Sequence, residues 1–325
     1  MHGLPDYWYR ITPLHCLLYP ISLIFRALVA LRRLGYRLRL LPSIKLPVPV
    51  IVVGNISVGG TGKTPLTLSL VQQMAAQGWH PAIISRGYGG SGGKMPSAVQ
   101  VDDLAQEVGD EPLLMAQRKL CPVWIGRDRP ACARALLRAH PECDVIFSDD
   151  GLQHYRLQRD VEIAVVDGTR RFGNGLMLPA GPLREPVSRL HEADAVVVNG
   201  GVAEDGEFAM QLAGTHFYNL LNPELTKTAA DFTGQHLHAI AGIGHPQRFF
   251  AHLQQLGLQC TPHAFPDHHV YTPSELSFAD TDALLMTEKD AVKCGAFASE
   301  KCWVLRVDAQ VSPALAQLII KKVTP

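Results

Sequence analysis

Paired cysteines are missing from this chain: its seven thiols stand at 16, 121, 132, 143, 260, 294 and 302, with no Cys-x-x-Cys among them. That scatter excludes a zinc ribbon and argues against a disulfide framework, so the cysteines read as reduced, small buried hydrophobes. An excess of one charge is missing too. Lys plus Arg and Asp plus Glu both number 30, which leaves no overall basic field to recruit nucleic acid. Low-complexity linkers and internal repeats are absent, as is an unbroken apolar run of the roughly 20 residues that crossing a bilayer requires. The apolar stretch near the start is interrupted by Pro20 and Arg26. With Asp6 ahead of it and no small-x-small site behind, it also lacks the marks of a signal peptide.

The 325 residues, 47% apolar and with 28 glycines, suffice for one large or two ordinary α/β domains. The most informative stretch is the apolar run Val48 to Val53 followed by Gly54-Asn55-Ile56-Ser57-Val58-Gly59-Gly60-Thr61-Gly62-Lys63-Thr64-Pro65. It reads as a buried strand, a phosphate-binding loop and a helix start, the helix carried on by Leu66, Leu70, Val71 and Met74 until Gly78. In such a loop the backbone from Ser57 to Thr64 curls around the phosphates of a nucleoside triphosphate. Lys63 reaches the β- and γ-phosphates and the Thr64 hydroxyl ligates Mg²⁺. The strict pattern fails by one residue, because Ser57 stands where a glycine is usual. A glycine turn with no nucleotide is the bland alternative, and the strand, the Lys-Thr pair and the helix together argue against it.

Further apolar runs follow at 82–85, 122–125, 144–148, 161–166 and 195–198, the mark of strands covered on both faces. They predict a mostly parallel, helix-covered sheet of the P-loop NTPase type. A smaller series begins after about residue 215, with strands at 239–243, 284–286 and 302–307 and helices at 246–256 and 313–322. The expected organisation is an N-terminal segment 1–42, a P-loop domain 43–215 and a smaller α/β domain 216–325. Asp149 and Asp150 end one strand at the edge where parallel sheets bind ligands, and an acid there serves a magnesium ion or its water.

Residues 14–41 read as an amphipathic helix, with Leu17, Ile21, Ile24, Leu28 and Leu31 on one face and Ser22, Arg26, Arg33 and Arg37 opposite. Residues 1–45 carry seven Lys or Arg against Asp6 alone. A helix lying on an anionic cytoplasmic leaflet fits this pattern, at about 1 kcal/mol per basic residue near the surface. The alternative is a helix packed on its own domain with a solvated basic face.

These motifs, with Ser85-Arg86-Gly87-Tyr88-Gly89, Val108-Gly109-Asp110-Glu111-Pro112, Asp149-Asp150-Gly151-Leu152-Gln153-His154, Leu178 to Pro186, Pro266-Asp267-His268-His269 and Thr287-Glu288-Lys289-Asp290-Ala291, resemble the tetraacyldisaccharide 4′-kinase (lipid A 4′-kinase) family over nearly the whole chain. The resemblance implies transfer of the ATP γ-phosphoryl group to the 4′-hydroxyl of a tetraacyl glucosamine disaccharide 1-phosphate, at the cytoplasmic face of the Gram-negative inner membrane. It implies that Lys63, Asp149 and Asp150 serve catalysis, and that Asp110 is the general base paired with a histidine of the 267–269 segment, His268 being favoured. It further implies that Thr64, Asp150 and Glu185 manage the metal, and that Glu111, Arg129, His154 and Arg184 shape the sugar and phosphate site.

Two other classes compete. A partitioning-type switch ATPase would carry a lysine where Val58 stands, and a GTP-dependent regulator needs an Asn-Lys-x-Asp reader that Thr287-Glu288-Lys289-Asp290 matches only superficially. A noncatalytic lipid-binding scaffold would not be expected to keep Lys63, Thr64, Asp110, Asp149 and Asp150 together.

Overall fold

Val50–Gly54, the run ahead of the glycine-rich loop, is buried along its length in the middle of a nine-stranded sheet in the computed structural model, which describes residues 6–324. It pairs in parallel with Val145–Asp149 on one side and Val161–Asp167 on the other. Alternate side chains enter two different cores. Ile51 and Val53 pack with Leu66, Leu70 and Met74 of the helix Lys63–Ala75, while Val50 and Val52 pack on the opposite face with Ile84, Leu136 and Ile146. Cover on both faces is why these strands read as unbroken apolar runs.

Pro81–Ser85, Val123–Ile125 and the short antiparallel Ser97–Ala98 extend the sheet beyond Val145–Asp149. Ala195–Asn199 and Phe208–Ala213 extend it beyond Val161–Asp167. The parallel strands run together, so Gly54, Ser85, Asp149, Asp167 and Asn199 end on one edge.

A second, six-stranded sheet takes the order Thr226–Thr228, His216–Asn219, Cys302–Leu305, Ala283–Thr287, Leu237–Ala241, Cys260–Ala264. Its core holds Phe217, Phe232 and Trp303, the Phe232 ring standing edge-on to both of the others. The second unit expected over 216–325 is cut short. Asp308–Val311 returns to the large sheet, antiparallel to Phe208–Ala213, and the helix Pro313–Val323 adds Leu315 and Ile319 to the large sheet's core.

The first helix, His15–Arg37, falls within the span 14–41 read as amphipathic, and differs from expectation in how far its apolar character runs. Pro20 lies within it without ending it, and 23 residues at 1.5 Å each span about 34 Å, so by length and composition it is apolar enough to cross a membrane despite Arg26. It is nonetheless docked on the protein by its more polar side. Ser22 donates to the Met177 carbonyl at 2.7 Å, His15 Nε2 bonds the Ala180 carbonyl at 3.0 Å, and Arg33 pairs with Glu192 at 2.6 Å. Phe25 and Val29 pack beside them, and Leu17, Ile24, Leu28 and Leu31 point outward, each 60% or more exposed. The outward face is therefore largely apolar, with Arg26, Arg32 and Arg37 also exposed along the helix.

The two sheets are tied by Arg118, whose guanidinium reaches Glu288 at 2.8 Å, Asp308 at 2.7 Å and the Val307 carbonyl at 2.8 Å. Arg118 and Glu288 side chains are only 8% and 9% exposed. Arg118→Leu leaves the Glu288 carboxylate buried without its cation, and is expected to cost about 3–5 kcal/mol of unfolding free energy in a denaturant titration.

Candidate active site

Beyond Gly54, Ser57 forms an antiparallel bridge with Leu183, and the Val58 N–H donates to the Pro182 carbonyl at 2.8 Å. Ser57 needs no left-handed backbone there, so a serine replaces the usual glycine without cost. The glycines that matter come later. Gly59 and Gly62 have φ of 106° and 92°, and a Cβ on Gly62 would lie 2.4 Å from Asn199 Nδ2, which donates to the Thr61 carbonyl at 3.0 Å. The helix begins at Lys63, so its free N–H groups and its lysine face the same space at the strand edge, an arrangement suited to phosphate.

The register places Asp149 beside Val53, directly next to this loop. Asp149 is buried, accepts from the Ser85 hydroxyl at 3.2 Å, and keeps Oδ1 without a partner. Burial, and then the negative charges of Glu111 and Asp150, push its carboxyl above the usual carboxylate range, with Lys63 and Arg129 opposing in part. Asp150 takes a left-handed φ of 44°, a strained conformation for a non-glycine residue, and faces Lys63 Nζ at 3.6 Å and Arg184 at 3.1 Å. Burial works against its charge, but those two cations outweigh it and hold its carboxyl down at about 2. Two adjacent carboxyls are thus driven apart in acidity by their surroundings.

Arg129, expected at the substrate, is 1% exposed and donates from one terminal nitrogen to the Asp149 carbonyl at 2.7 Å. His154 lines the same space, held down to about 4 by burial and by the charges of Arg129 and Arg86, so its imidazole is neutral at physiological pH. Glu185 departs from its expected metal role. One oxygen accepts from Gln153 at 2.9 Å, the other from Tyr155 at 2.7 Å with Arg189 at 3.3 Å, so both are committed to protein partners. Among the described residues no cluster of three or more His, Cys, Asp or Glu could hold a metal ion alone. Magnesium does not require one, since it keeps several waters and binds through one or two carboxylates and the substrate's phosphates. The vacant oxygen of Asp149, the ionised Asp150 and the Thr64 hydroxyl beside Lys63 are the hard donors such an ion takes.

Across the cleft the two sheets meet in a charged ring. Asp110 begins the helix Asp110–Gln117, is 4% exposed, and meets His268 Nδ1 at 2.9 Å. His269 turns away to Glu275 at 3.0 Å and stacks on Phe265, so the histidine in contact with Asp110 is His268. Lys289 Nζ lies 3.1 Å from Glu111, 3.0 Å from Asp267 and 3.8 Å from Asp110. Burial opposes a charge on Asp110, yet the hydrogen bond with His268 and the charge of Lys289 bring its carboxyl below the ordinary value. His268 is raised in return, chiefly by that bond. Lys63, Glu111, Arg129, Asp149, Asp150, His154, Arg184, His268 and Lys289 all border one cleft of about 1270 Å³.

Sequence reasoning gave no site role to Lys289, although its motif was visible, nor to Arg170, which donates to the Gly60 carbonyl at 3.0 Å from the turn after Val161–Asp167. The only signal for Arg170 was its place just past a strand end.

Residues 14–324 match the family model described as tetraacyldisaccharide-1-P 4′-kinase. The chain belongs to that family. It is 55% identical to the tetraacyldisaccharide 4′-kinase of Methylobacillus flagellatus over 98% of this chain and 94% of that one. It is 51% identical to the enzyme of the same name from Azoarcus sp., with the same two coverages. Among solved structures it resembles the "apo" form of LpxK from Aquifex aeolicus in complex with ATP, with a TM-score of 0.81 and 29% identity over 96% of this chain and 100% of that one. The chain is accordingly a phosphotransferase of lipid A biosynthesis, moving the γ-phosphoryl group of ATP to the 4′-hydroxyl of tetraacyldisaccharide 1-phosphate.

The ring around Asp110 gives a direct test of its electrostatics. Removing the Lys289 charge in Lys289→Met takes away one of the influences that lower Asp110. Its carboxyl, followed by carbon NMR, is expected to titrate at higher pH than in the wild type.

Proposed function

We propose that the reaction runs with Asp110 and His268 as the proton-accepting pair, with Mg²⁺ held by Thr64, Asp150 and Asp149, and with the acceptor lipid drawn from the cytoplasmic leaflet of the inner membrane. Phosphoryl transfer is chiefly a matter of alignment and charge neutralisation. The loop from Ser57 to Thr64 and Lys63 would grip the triphosphate and orient its γ-phosphorus toward the cleft. A bound Mg²⁺ would neutralise charge on the β- and γ-phosphates. The 4′-oxygen forms the new P–O bond as the bond between the γ-phosphorus and the β,γ-bridging oxygen breaks and ADP leaves; the hydroxyl proton passes to the Asp110 carboxylate.

A carboxylate with depressed basicity is a poor base unless it is oriented and relieved of its proton. The contact of His268 Nδ1 with Asp110 Oδ2 supports both tasks, and it carries this reading because it joins the two sheets inside the cleft that also holds Lys63. The outward apolar face of the first helix supports the membrane placement, since it lies on the element that contributes Phe25, Val29 and Arg32 to the cleft wall. Acyl chains can stay in lipid while the sugar enters.

Incubation with γ-labelled ATP and the disaccharide 1-phosphate is expected to place label on the 4′-hydroxyl; label found only as free phosphate would overturn the reading. Asp110→Asn should lower kcat by ~10²–10⁴, and Lys63→Ala should abolish turnover while membrane association persists. For the helix, Leu17→Asp, Ile24→Asp and Leu28→Asp together are expected to raise KM for the lipid and release the protein from anionic vesicles with KM for ATP unchanged. An equal rise in both constants would count against a lipid-facing role.

A further inference from the structure

A phosphate loop grips best when its backbone N–H groups are aimed before the ligand arrives, so the carbonyls that share their peptide planes have to be held on the outside. In a trans peptide the Gly60 carbonyl faces away from the Thr61 N–H, and the Thr61 carbonyl from the Gly62 N–H. Both carbonyls are held by side chains. Arg170 Nη2 donates to the Gly60 carbonyl at 3.0 Å, and Asn199 Nδ2 donates to the Thr61 carbonyl at 3.0 Å.

These two side chains are anchored in turn. Asp167 Oδ2 accepts from Arg170 Nε at 2.9 Å and from Nη2 at 2.8 Å. Asp167 and Asn199 face each other at the ends of neighbouring strands, and both are buried. The guanidinium of Arg248, on the helix Pro246–Gln255 of the smaller unit, spans them: Nη2 donates to the Asn199 carbonyl at 2.9 Å and Nη1 lies 3.5 Å from Asp167 Oδ2. Room for it comes from Gly200, with φ of 69°, where a Cβ would lie 2.8 Å from Nη2. The turn ahead of that helix is fixed as well. Buried Asp290 accepts from the Gly242 N–H at 3.1 Å, and a Cβ on Gly244 would be 3.0 Å from the Gly60 nitrogen, so the turn lies directly against the loop. Arg170 and Gln247 border the cleft, whereas among the described residues lining it Arg248 is absent. That place fits support of the loop rather than contact with nucleotide.

We infer that Arg248 is a positioning residue for phosphoryl transfer: by bridging Asn199 and Asp167 it fixes the two side chains that hold the Gly60 and Thr61 carbonyls, and so makes the shape of the phosphate loop depend on the smaller unit. This rests on the kinase reading above and goes beyond it, because it gives the smaller unit a part in gripping ATP separate from the contact of His268 with Asp110. An arginine suits the place, since one planar fork meets two acceptors at once; a lysine ammonium is a point charge on a flexible stem.

The test measures MgATP binding by calorimetry, and steady-state rates with ATP and the tetraacyldisaccharide 1-phosphate. Arg248→Met is expected to weaken ATP about tenfold in both Kd and KM, the scale of one hydrogen bond to a charged group, with KM for the lipid unchanged. Arg248→Lys, which keeps the cation and loses the fork, guards against misfolding and should still weaken ATP severalfold. Arg170→Met should weaken ATP as well, and combined with Arg248→Met by less than the product of the two single effects, because both act through Asp167. Effects that multiply, as two independent contacts with nucleotide would give, wild-type ATP affinity in a folded Arg248→Lys, or equal rises in KM for ATP and for lipid would overturn the inference. Wild type that binds ATP but leaves the lipid unphosphorylated would instead overturn the kinase reading itself.

Discussion

One short helix carries the relation between the two halves of the molecule. Asp110–Gln117 belongs to the large sheet's side, yet both its ends are held by charges from the helix Glu288–Cys294 of the smaller one: Lys289 beside Asp110 and Glu111, and Glu288 on Arg118. With His268 also drawn from the smaller unit, Asp110 gains its histidine partner because the two sheets meet. The contact between Asp110 and His268 is therefore a property of the seam.

The first helix inverts the usual rule that apolar faces turn inward. Its docking contacts are a buried serine, a buried histidine and an arginine, each meeting a carbonyl or carboxylate of the body, so these three side chains are satisfied before lipid is considered. That leaves leucines and isoleucines facing out along much of its length. An orientation fixed by hydrogen bonds explains why an apolar strip survives in water without collapsing onto the core.

How much of this was legible in the sequence depended on whether local chemistry or long-range packing decided the matter. The strand and loop through Thr64 were plain because an apolar run, positive-φ glycines and a helix start are neighbours in the chain. Asp149 and Asp150 could be placed at a strand end, but their divergent acidities come from burial and from Glu111, Lys63 and Arg184, which the fold brings from far away in sequence. Glu185 looked like a metal ligand because it sits among polar signature residues, whereas Gln153, Tyr155 and Arg189 already satisfy it. The choice of His268 over His269 was a matter of which ring the turn aims at Asp110, and only the fold decides that. Pro20 and Arg26 suggested an apolar run too short to cross a bilayer, whereas the continuous helix is long and apolar enough by length and composition.

The return of Asp308–Val311 to the large sheet has a consequence for how the protein is made. Some hundred residues of the smaller sheet are threaded between Phe208–Ala213 and the strand that pairs with it. During synthesis the ribosome releases that closing strand only after the whole smaller sheet, so the nascent chain must carry Phe208–Ala213 as an unzipped margin while an entire second sheet condenses beside it.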